Sequence, residues 1–145
     1  MNLLMTIELP GVPPSQNHAY ANHPHGGRRL TEVARTFKAE VVNHVARVHV
    51  LELNRIKPNV PYELCVTFFF LKDDLFNKGY PKKTKNRYKR VDTLNRGKLL
   101  EDALADAFGL DDSHNFVLRL EKRPCTSRRT EIEVYRKEDE WTQLG

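Results

Sequence analysis

The sequence predicts one α+β domain, with its elements in the order β-α-β-α-β-β on a single mixed sheet. The chain has 145 residues, the length of one ordinary domain, so residues 1–145 are expected to form a single unit. Its hydrophobic content of 39% is sufficient for a buried core. Two stretches repeat apolar residues every three or four positions, whereas four shorter ones alternate or are rich in β-branched and aromatic residues. This mixture of periods indicates helices packed on a sheet.

The first half of the chain is predicted to supply two strands and one helix. Residues 3–9 form a short strand, and the run PGVPP at residues 10–14 ends it because prolines fix φ and lack an N–H donor. Thr31 precedes the first helix as its N-cap. The apolar face of that helix consists of Ala34, Phe37, Val41, Val45 and Val48. Residues 62–71 (YELCVTFFFL) favour a largely buried central strand.

The second half is predicted to hold a basic loop, the second helix and a hairpin. Residues 72–91 show no periodicity, and a loop of that length is usually functional or disordered. Residues 92–108 form the helix, with Gly109 as its C-terminal stop. Residues 116–122 and 130–135 alternate apolar and polar positions and form the hairpin. A highly charged tail covers residues 137–145.

Composition and missing motifs exclude several classes of protein. No apolar run approaches the roughly 18–20 residues of a membrane helix, and the first residues lack the pattern of a signal peptide. We therefore expect a cytoplasmic protein without a membrane partner. Cys65 and Cys125 are the only cysteines, and their isolation argues against a disulfide framework or a zinc finger. The sequence contains no phosphate-binding, dinucleotide-binding or serine-hydrolase motif.

The charges, which sum to +5, are unevenly distributed along the chain. Residues 82–90 carry six cations and no anion: Lys82, Lys83, Lys85, Arg87, Lys89 and Arg90. The carboxylates of the following segment are Glu101, Asp102, Asp106, Asp111 and Asp112. A nuclease needs both kinds of segment, because cations hold the phosphate backbone and carboxylates hold a metal ion. A solvated surface has the same composition, so both interpretations remain open.

Three residues around the second helix are candidates for chemistry: Asp92, Lys98 and Asp112. Structural roles would explain them equally well, with Asp92 as a helix cap and Lys98 as an ion-pair partner of Asp102. A straight helix of about 17 residues spans about 25 Å. Asp92 and Asp112 can therefore share a metal ion only if the turn after Gly109 carries Asp112 back along the helix. The hairpin that follows makes such a return possible.

Three segments, in this order, resemble the RusA family of Holliday-junction resolvases. The first is IELPGVPPSQNHAY…GGRRLTEVARTFKAEV, with an opening strand, a PP-S-x-N turn and a helix after a basic patch. The second is RVDTLNRGKLLEDALADAFGLDD, with an N-x-x-K-x-x-x-D-A-L helix and a D-D turn. The third is DDSHNFVLRLEKR, a closing strand that ends in lysine. The resemblance implies a small, dimeric endonuclease of DNA recombination and repair, common in phages, that nicks two opposing strands of a four-way junction symmetrically.

The resemblance also implies which residues act. The family's catalytic residues correspond to Asp92, Lys98 and Asp112, and the metal ligands to Asp92, Asp112 and the adjacent Asp111. The ion is Mg²⁺, for which Mn²⁺ can substitute. Lys98 would offset the charge that develops on the phosphate in the transition state. The residues expected to contact nucleic acid are Asn17, Arg29, Lys82, Lys83, Lys85, Arg87, Lys89, Arg90 and Asn95.

One position departs from the family's pattern. The D-x-D-N motif reads DTLN at residues 92–95, so Leu94 occupies the place of the second aspartate and cannot bind a metal ion. Two explanations remain open. In the first, another carboxylate completes the site, namely Asp102, Asp111 or one in the Lys72-Asp73-Asp74 turn. In the second, the protein cleaves poorly and serves as a branched-DNA-binding protein on the same fold.

Overall fold

The structure is a computed structural model that describes residues 2–15, 20–22 and 28–137. The strands are β1 (Asn2–Pro10), β2 (Tyr20–Asn22), β3 (Arg28–Leu30), β4 (Tyr62–Leu71), β5 (Asn115–Cys125) and β6 (Arg129–Arg136). The helices are α1 (Glu32–Val48), α2 (Lys72–Leu75) and α3 (Thr93–Phe108), and two 3₁₀ turns cover Glu52–Arg55 and Asp112–His114. Asn17 and the tail beyond Lys137 lie outside the described residues.

The predicted α+β class on one mixed sheet is confirmed. Four strands form this sheet in the order β1-β6-β4-β5, and β4 is parallel to β5 but antiparallel to β6. The predicted hairpin of residues 116–122 and 130–135 is wrong, because β4 lies between β5 and β6 and pairs with both. A two-stranded ribbon of β2 and β3 was not predicted. In the part of the chain that the structure describes, no helix has the length and apolar character that a membrane crossing requires.

The core lies between one face of the sheet and the helices α1 and α3. Alternate residues of each central strand point into it, so that Leu64 and Phe68 of β4 and Ile132 of β6 are fully buried. Phe69 lies on the opposite face, where the Arg129 guanidinium carbon is 3.9 Å from its ring centroid. The apolar run YELCVTFFFL therefore supplies the core with every second residue only.

Helix α3 approaches β5 closely at Gly97. A Cβ atom at this position would lie 2.5 Å from Cδ1 of Leu120, so a larger residue would displace the leucine. The predicted stop at Gly109 is also present, with a left-handed φ of 69° that favours glycine. After this turn β5 runs back along α3, but Asp112 precedes β5 and stays beside the C-terminal half of the helix.

The segment 72–91, predicted as a loop without structure, is partly ordered by backbone hydrogen bonds. It begins with the short helix α2, and Phe76 then forms an isolated antiparallel bridge with Tyr88. The Asn77 amide donates to the carbonyl of Arg87 at 2.9 Å, which closes this part of the chain into a loop. We call residues 76–91, between α2 and α3, the excursion. Sequence periodicity missed this arrangement because one helical turn and a single bridge are too short to show a period.

Candidate functional site

Three carboxylates meet near the C-terminal half of α3. One carboxylate oxygen from each of Glu101, Asp102 and Asp112 lies within 4.8 Å of the others. Glu101 and Asp102 are consecutive in α3, and Asp112 begins the 3₁₀ turn that follows Gly109. We call these three residues the carboxylate cluster. The cluster contains Asp112 and Asp102, two of the carboxylates that the sequence analysis considered.

The surroundings of Glu101 and Asp112 disfavour their charged forms. The pKa of Glu101 is raised by burial, and the nearby charges of Asp112 and Asp102 raise it further. The pKa of Asp112 is raised mainly by a hydrogen bond with Asp111, with smaller contributions from burial and neighbouring carboxylates. The positive charge of Lys98 acts in the opposite direction on both groups. A bound cation would relieve this repulsion.

Tyr62 and Asn115 near the cluster each have a buried oxygen atom without a hydrogen-bond partner among the described residues. Asn115 donates from its side-chain amide to Glu101, but its Oδ1 is buried and has no partner among the described residues. The hydroxyl of Tyr62, a residue only 2% exposed, is likewise unpartnered there. The pKa of Tyr62 is raised by burial and then by the negative charges of Glu101 and Asp112, so this hydroxyl faces the cluster. Buried polar atoms are seldom left unpaired unless water or an ion completes them.

The donor set around the cluster consists of oxygen atoms. Mg²⁺ and Ca²⁺ are bound by carboxylate and amide oxygens, whereas the sulfur and imidazole ligands preferred by zinc are missing from the cluster. Asn115, which donates to Glu101, adds an unpartnered amide oxygen next to this donor set. The residues present therefore fit a hard divalent cation.

The structure places Asp92 away from the cluster. Its carboxylate caps α3 by accepting from the backbone N–H of Asn95 at 3.1 Å and from the side-chain amide of the same residue. These hydrogen bonds lower the pKa of Asp92. The helix rises about 15 Å along its axis between Asp92 and Asp102. The structural role considered for Asp92 is therefore observed, and its catalytic role stays a prediction.

The remaining carboxylates that could replace the missing aspartate have partners of their own. Asp74 forms a two-point ion pair with Arg128 at 2.7 and 2.8 Å, and Asp73 pairs with Lys78 at 3.1 Å. Asp111 accepts from the Ser113 amide at 3.2 Å. Leu94, which occupies the place of the family's second aspartate, is 68% exposed.

The predicted nucleic-acid residues lie mostly at the other end of α3. The excursion between α2 and α3 leads directly to Asp92, and its cations Lys82, Lys83, Lys85, Arg87 and Arg90 are exposed. Lys89 is also exposed but donates to the carbonyl of Asp73 at 2.7 Å. Arg29 is exposed in β3. The basic surface therefore adjoins the Asp92 end of the helix, not the carboxylate cluster.

Sequence reasoning named Lys98 and Asp112 as candidates and counted Glu101 among the carboxylates of this segment, but it did not consider Tyr62 or Asn115 as neighbours of a site. Tyr62 and Asn115 are the first residues of β4 and β5, and the parallel pairing of these strands places them side by side. Their only signal in the sequence is a polar residue at the start of a predicted strand. That signal is too common to indicate a site.

Comparison with known protein families supports the resemblance seen in the sequence. The model of the family described as "Endodeoxyribonuclease RusA" matches residues 10–135 of the chain, which include the cluster, Lys98 and Asp92. No curated protein matches the chain.

Proposed function

The chain belongs to the RusA endodeoxyribonuclease family, and from this premise we propose that it resolves four-way DNA junctions by paired, symmetric, metal-dependent nicks. Family membership supports a junction-resolving endonuclease that acts on branched DNA. The metal, the pairing of the nicks and the residues that act are the proposal. Mg²⁺ is the expected ion, with Mn²⁺ as a substitute, and the protein is expected to act as a homodimer in the cytoplasm.

The carboxylate cluster is the observation that supports this function. Glu101, Asp102 and Asp112 would hold the cation, and the free oxygens of Asn115 and Tyr62 would contact the ion or its waters. A divalent cation bound there polarises the phosphate and offsets its negative charge. The raised pKa values of Glu101 and Asp112 support this role, because an added positive charge would stabilise both carboxylates.

Lys98 is the residue of this site that can contact the phosphate directly. It is exposed one helical turn before Asp102, and its charge already lowers the pKa of Glu101 and Asp112. An ammonium group at this position would stabilise the negative charge that develops on the phosphate during cleavage. Lys98 thus offers catalytic charge stabilisation without serving as a metal ligand.

Asp92 could join the same reaction only from a second copy of the chain. Within one chain the helix keeps it about 15 Å from Asp102 along the axis. In a twofold dimer with antiparallel α3 helices, the Asp92 carboxylate of one copy would lie near the cluster of the other. Two such sites, related by symmetry, would match the two opposing strands of a four-way junction.

A second candidate function is that of a catalytically weakened protein that binds branched DNA. It is favoured by the exposed Leu94 in place of an aspartate and by the absence of Asp92 from the cluster within the described chain. The exposed cations of the excursion would bind DNA in either case, with an affinity that falls as salt rises.

Cleavage of a labelled synthetic four-way junction separates these functions. We expect Mg²⁺-dependent paired nicks in the junction and none in linear duplex. Asp112→Asn should abolish them, whereas Asp106→Asn should not, because Asp106 lies on the same helix outside the cluster and pairs with Lys38 at 3.0 Å. Tight junction binding by the wild-type protein without nicking would establish the second function.

Mixing two inactive variants tests the contribution of Asp92. If Asp92 acts from a second copy, an equimolar mixture of Asp92→Asn and Asp112→Asn chains regains cleavage, because one site of each mixed dimer is intact. No recovery from two variants that are each inactive would place Asp92 and Asp112 in the same chain's site. Full activity of Asp92→Asn alone would limit Asp92 to capping the helix.

A further inference from the structure

One row of residues crosses the whole sheet at the end where the cluster lies. Asn2 of β1 pairs with Arg136 of β6, Arg136 pairs with Tyr62 of β4, and Tyr62 pairs with Asn115 of β5. Directly paired residues point to the same face of a sheet. Tyr62 points to the helix-covered face, as Leu64 does, so all four side chains lie on that face.

A cationic cavity opens beside this row. It has a volume of about 520 Å³ and is lined by Arg55, Lys57 and Arg136, with Tyr62 and apolar residues of β1 between them. Among the residues that the structure describes, no carboxylate lines it. Arg55 donates to the carbonyl of Leu4 at 3.0 Å, which fixes its guanidinium at the rim. We call this cavity the cationic pocket.

The charges of the pocket are not neutralised within the described protein. Neither Lys57 nor Arg136 has a carboxylate within ion-pair distance among the described residues, and both side chains are exposed. By contrast, Arg119, Arg123 and Arg129 of the same sheet have acidic partners, and so does Arg128 in the connection before β6. The pocket therefore presents at least two uncompensated positive charges to a ligand.

The row places this pocket beside the cluster. Asn115 donates to Glu101 at one end, Tyr62 lines the pocket, and its hydroxyl faces the cluster. Neighbouring strands lie about 4.8 Å apart, so Arg136 is about 10 Å and Asn2 about 14 Å from Asn115 across the sheet. Consecutive phosphates of one DNA strand combine an axial rise of about 3.4 Å with rotation around the helix, so they lie about 6–7 Å apart. The pocket therefore lies about two phosphates from the cluster.

We propose that the cationic pocket binds phosphodiester groups of the strand that the cluster cuts, about two nucleotides from the cleaved bond. This inference rests on the proposed function and adds a DNA contact outside the basic excursion. Arginine matches phosphate oxygens through paired N–H donors, and lysine adds a point charge. The pocket would hold the strand in register, because phosphate contacts fix position and carry no sequence information.

The test compares junction binding by Lys57→Ala/Arg136→Ala with binding by the wild-type chain. The assay contains no divalent cation, so that nothing is cut, and it is repeated over a range of NaCl concentrations. Arg55 is left intact because its hydrogen bond to Leu4 supports the fold. We expect Kd to rise about tenfold and the slope of log K against log salt to fall in magnitude by about 2. Lys122→Ala, a single loss of charge at the far end of β5, should leave both values unchanged.

Replacing single DNA phosphates with uncharged methylphosphonates tests which phosphates the pocket contacts. Methylphosphonates at the first and second phosphates beyond the cleaved one, on one side, should weaken binding by the wild-type protein. They should cause no further loss in Lys57→Ala/Arg136→Ala, because the contact is already missing. Substitutions on the other side serve as the control.

The outcomes distinguish failure of the inference from failure of the proposed function. If wild-type protein cuts the junction but the double variant binds it equally well, the pocket contacts no phosphate and the function stands. If methylphosphonates weaken both proteins to the same extent, the strand follows another path. If the wild-type chain neither binds nor cuts branched DNA, the proposed function fails, and the inference with it.

Discussion

The two ends of α3 carry carboxylates in opposite environments. At the N-terminus, Asp92 accepts hydrogen bonds from the backbone and side chain of Asn95, which lower its pKa. Further along the helix, Glu101 is partly buried among other carboxylates, and its pKa is raised by that burial. Hydrogen bonds thus stabilise the charged carboxylate of Asp92, whereas burial and neighbouring carboxylates disfavour the charged form of Glu101. The comparison indicates that the cluster, more than Asp92 within the same chain, requires a cation.

Exposed lysines and arginines, in contrast, are concentrated at the Asp92 end of α3, away from the carboxylate cluster. The exposed lysines and arginines of the excursion, which lie within residues 82–90, adjoin the Asp92 end. Near the cluster, Lys98 is the cation whose charge acts on both Glu101 and Asp112. In the proposed function, DNA would therefore be held mainly by the cations of the excursion and cut at the carboxylate cluster.

The largest expected effect comes from removing a charge within the cluster. Glu101→Gln keeps the shape of the side chain but removes one negative ligand, so we expect Mg²⁺ affinity to fall about 10- to 100-fold. Isothermal titration calorimetry measures this directly. Asp106→Asn, about one turn further along α3, is the matched control and should bind Mg²⁺ as the wild type does. Equal affinities for wild type and Glu101→Gln would remove Glu101 from the site.

The close contact between α3 and β5 holds the cluster together, and Gly97→Val would break it. The new side chain would clash with Leu120, and we expect the free energy of unfolding to fall by about 1–3 kcal/mol. Urea denaturation measures the change. Leu120→Ala in the same chain should recover part of the loss, because it removes the atoms that clash. Additive destabilisation by the two substitutions would mean that this contact does not set the position of the helix.

Tyr62→Phe should separate stability from metal binding at the cluster. It removes a buried hydroxyl that has no partner among the described residues, so the metal-free protein should gain about 1 kcal/mol in urea denaturation. Mg²⁺ affinity should fall at the same time, by about tenfold, because the hydroxyl no longer contacts the ion or its waters. A loss of stability with unchanged affinity would show that Tyr62 serves only the fold.

At the other end of α3, Asp92 should behave as a helix cap. Asp92→Ala should lower the free energy of unfolding by about 1 kcal/mol, whereas Asp92→Asn, which can also cap, should change it by a few tenths. Thermal or urea denaturation distinguishes them. Stability that is unchanged in Asp92→Ala would contradict the capping role.

The smallest expected effect is on the pH dependence of folding stability, to which Asp92 and Glu101 of α3 contribute in opposite directions. The lowered pKa of Asp92 contributes stability that is present above its unfolded pKa and is lost as pH falls through the folded pKa. The raised pKa of Glu101 acts in reverse, with stability present below its unfolded pKa and lost as pH rises through the folded pKa. Metal-free Glu101→Gln should therefore be more stable than wild type at pH 7, by less than about 1 kcal/mol, and the gain should vanish near about pH 4. Urea denaturation at both pH values measures the difference, and a gain that persists at the lower pH would have another cause.

The fold was largely predictable because its signals are local. The period of α1, the left-handed stop at Gly109 and the apolar run of β4 each appear within a few residues of sequence. A return of Asp112 along the helix as far as Asp92 was considered possible, but the turn after Gly109 brings Asp112 only beside Glu101 and Asp102. The mapping onto the RusA family agrees with the family match.

The cluster was only partly predictable because it depends on pairing between distant segments. Asn115 reaches Glu101, and Tyr62 lies beside it, only because β4 and β5 pair in parallel with residues 62 and 115 in register. No local pattern encodes that register. The capping of α3 by Asp92 was predicted as its structural role, but a cap does not by itself decide which carboxylates would bind the metal.

The most direct test of the cation site is Mn²⁺ titration followed by NMR of the backbone amides. Paramagnetic Mn²⁺ broadens signals close to the bound ion. Signals of Tyr62, Glu101 and Asn115 should broaden first in the wild-type protein, and Asp112→Asn should abolish this effect at the same Mn²⁺ concentration. Broadening confined to residues 92–95, or broadening that Asp112→Asn leaves intact, would contradict a cation held by the carboxylate cluster.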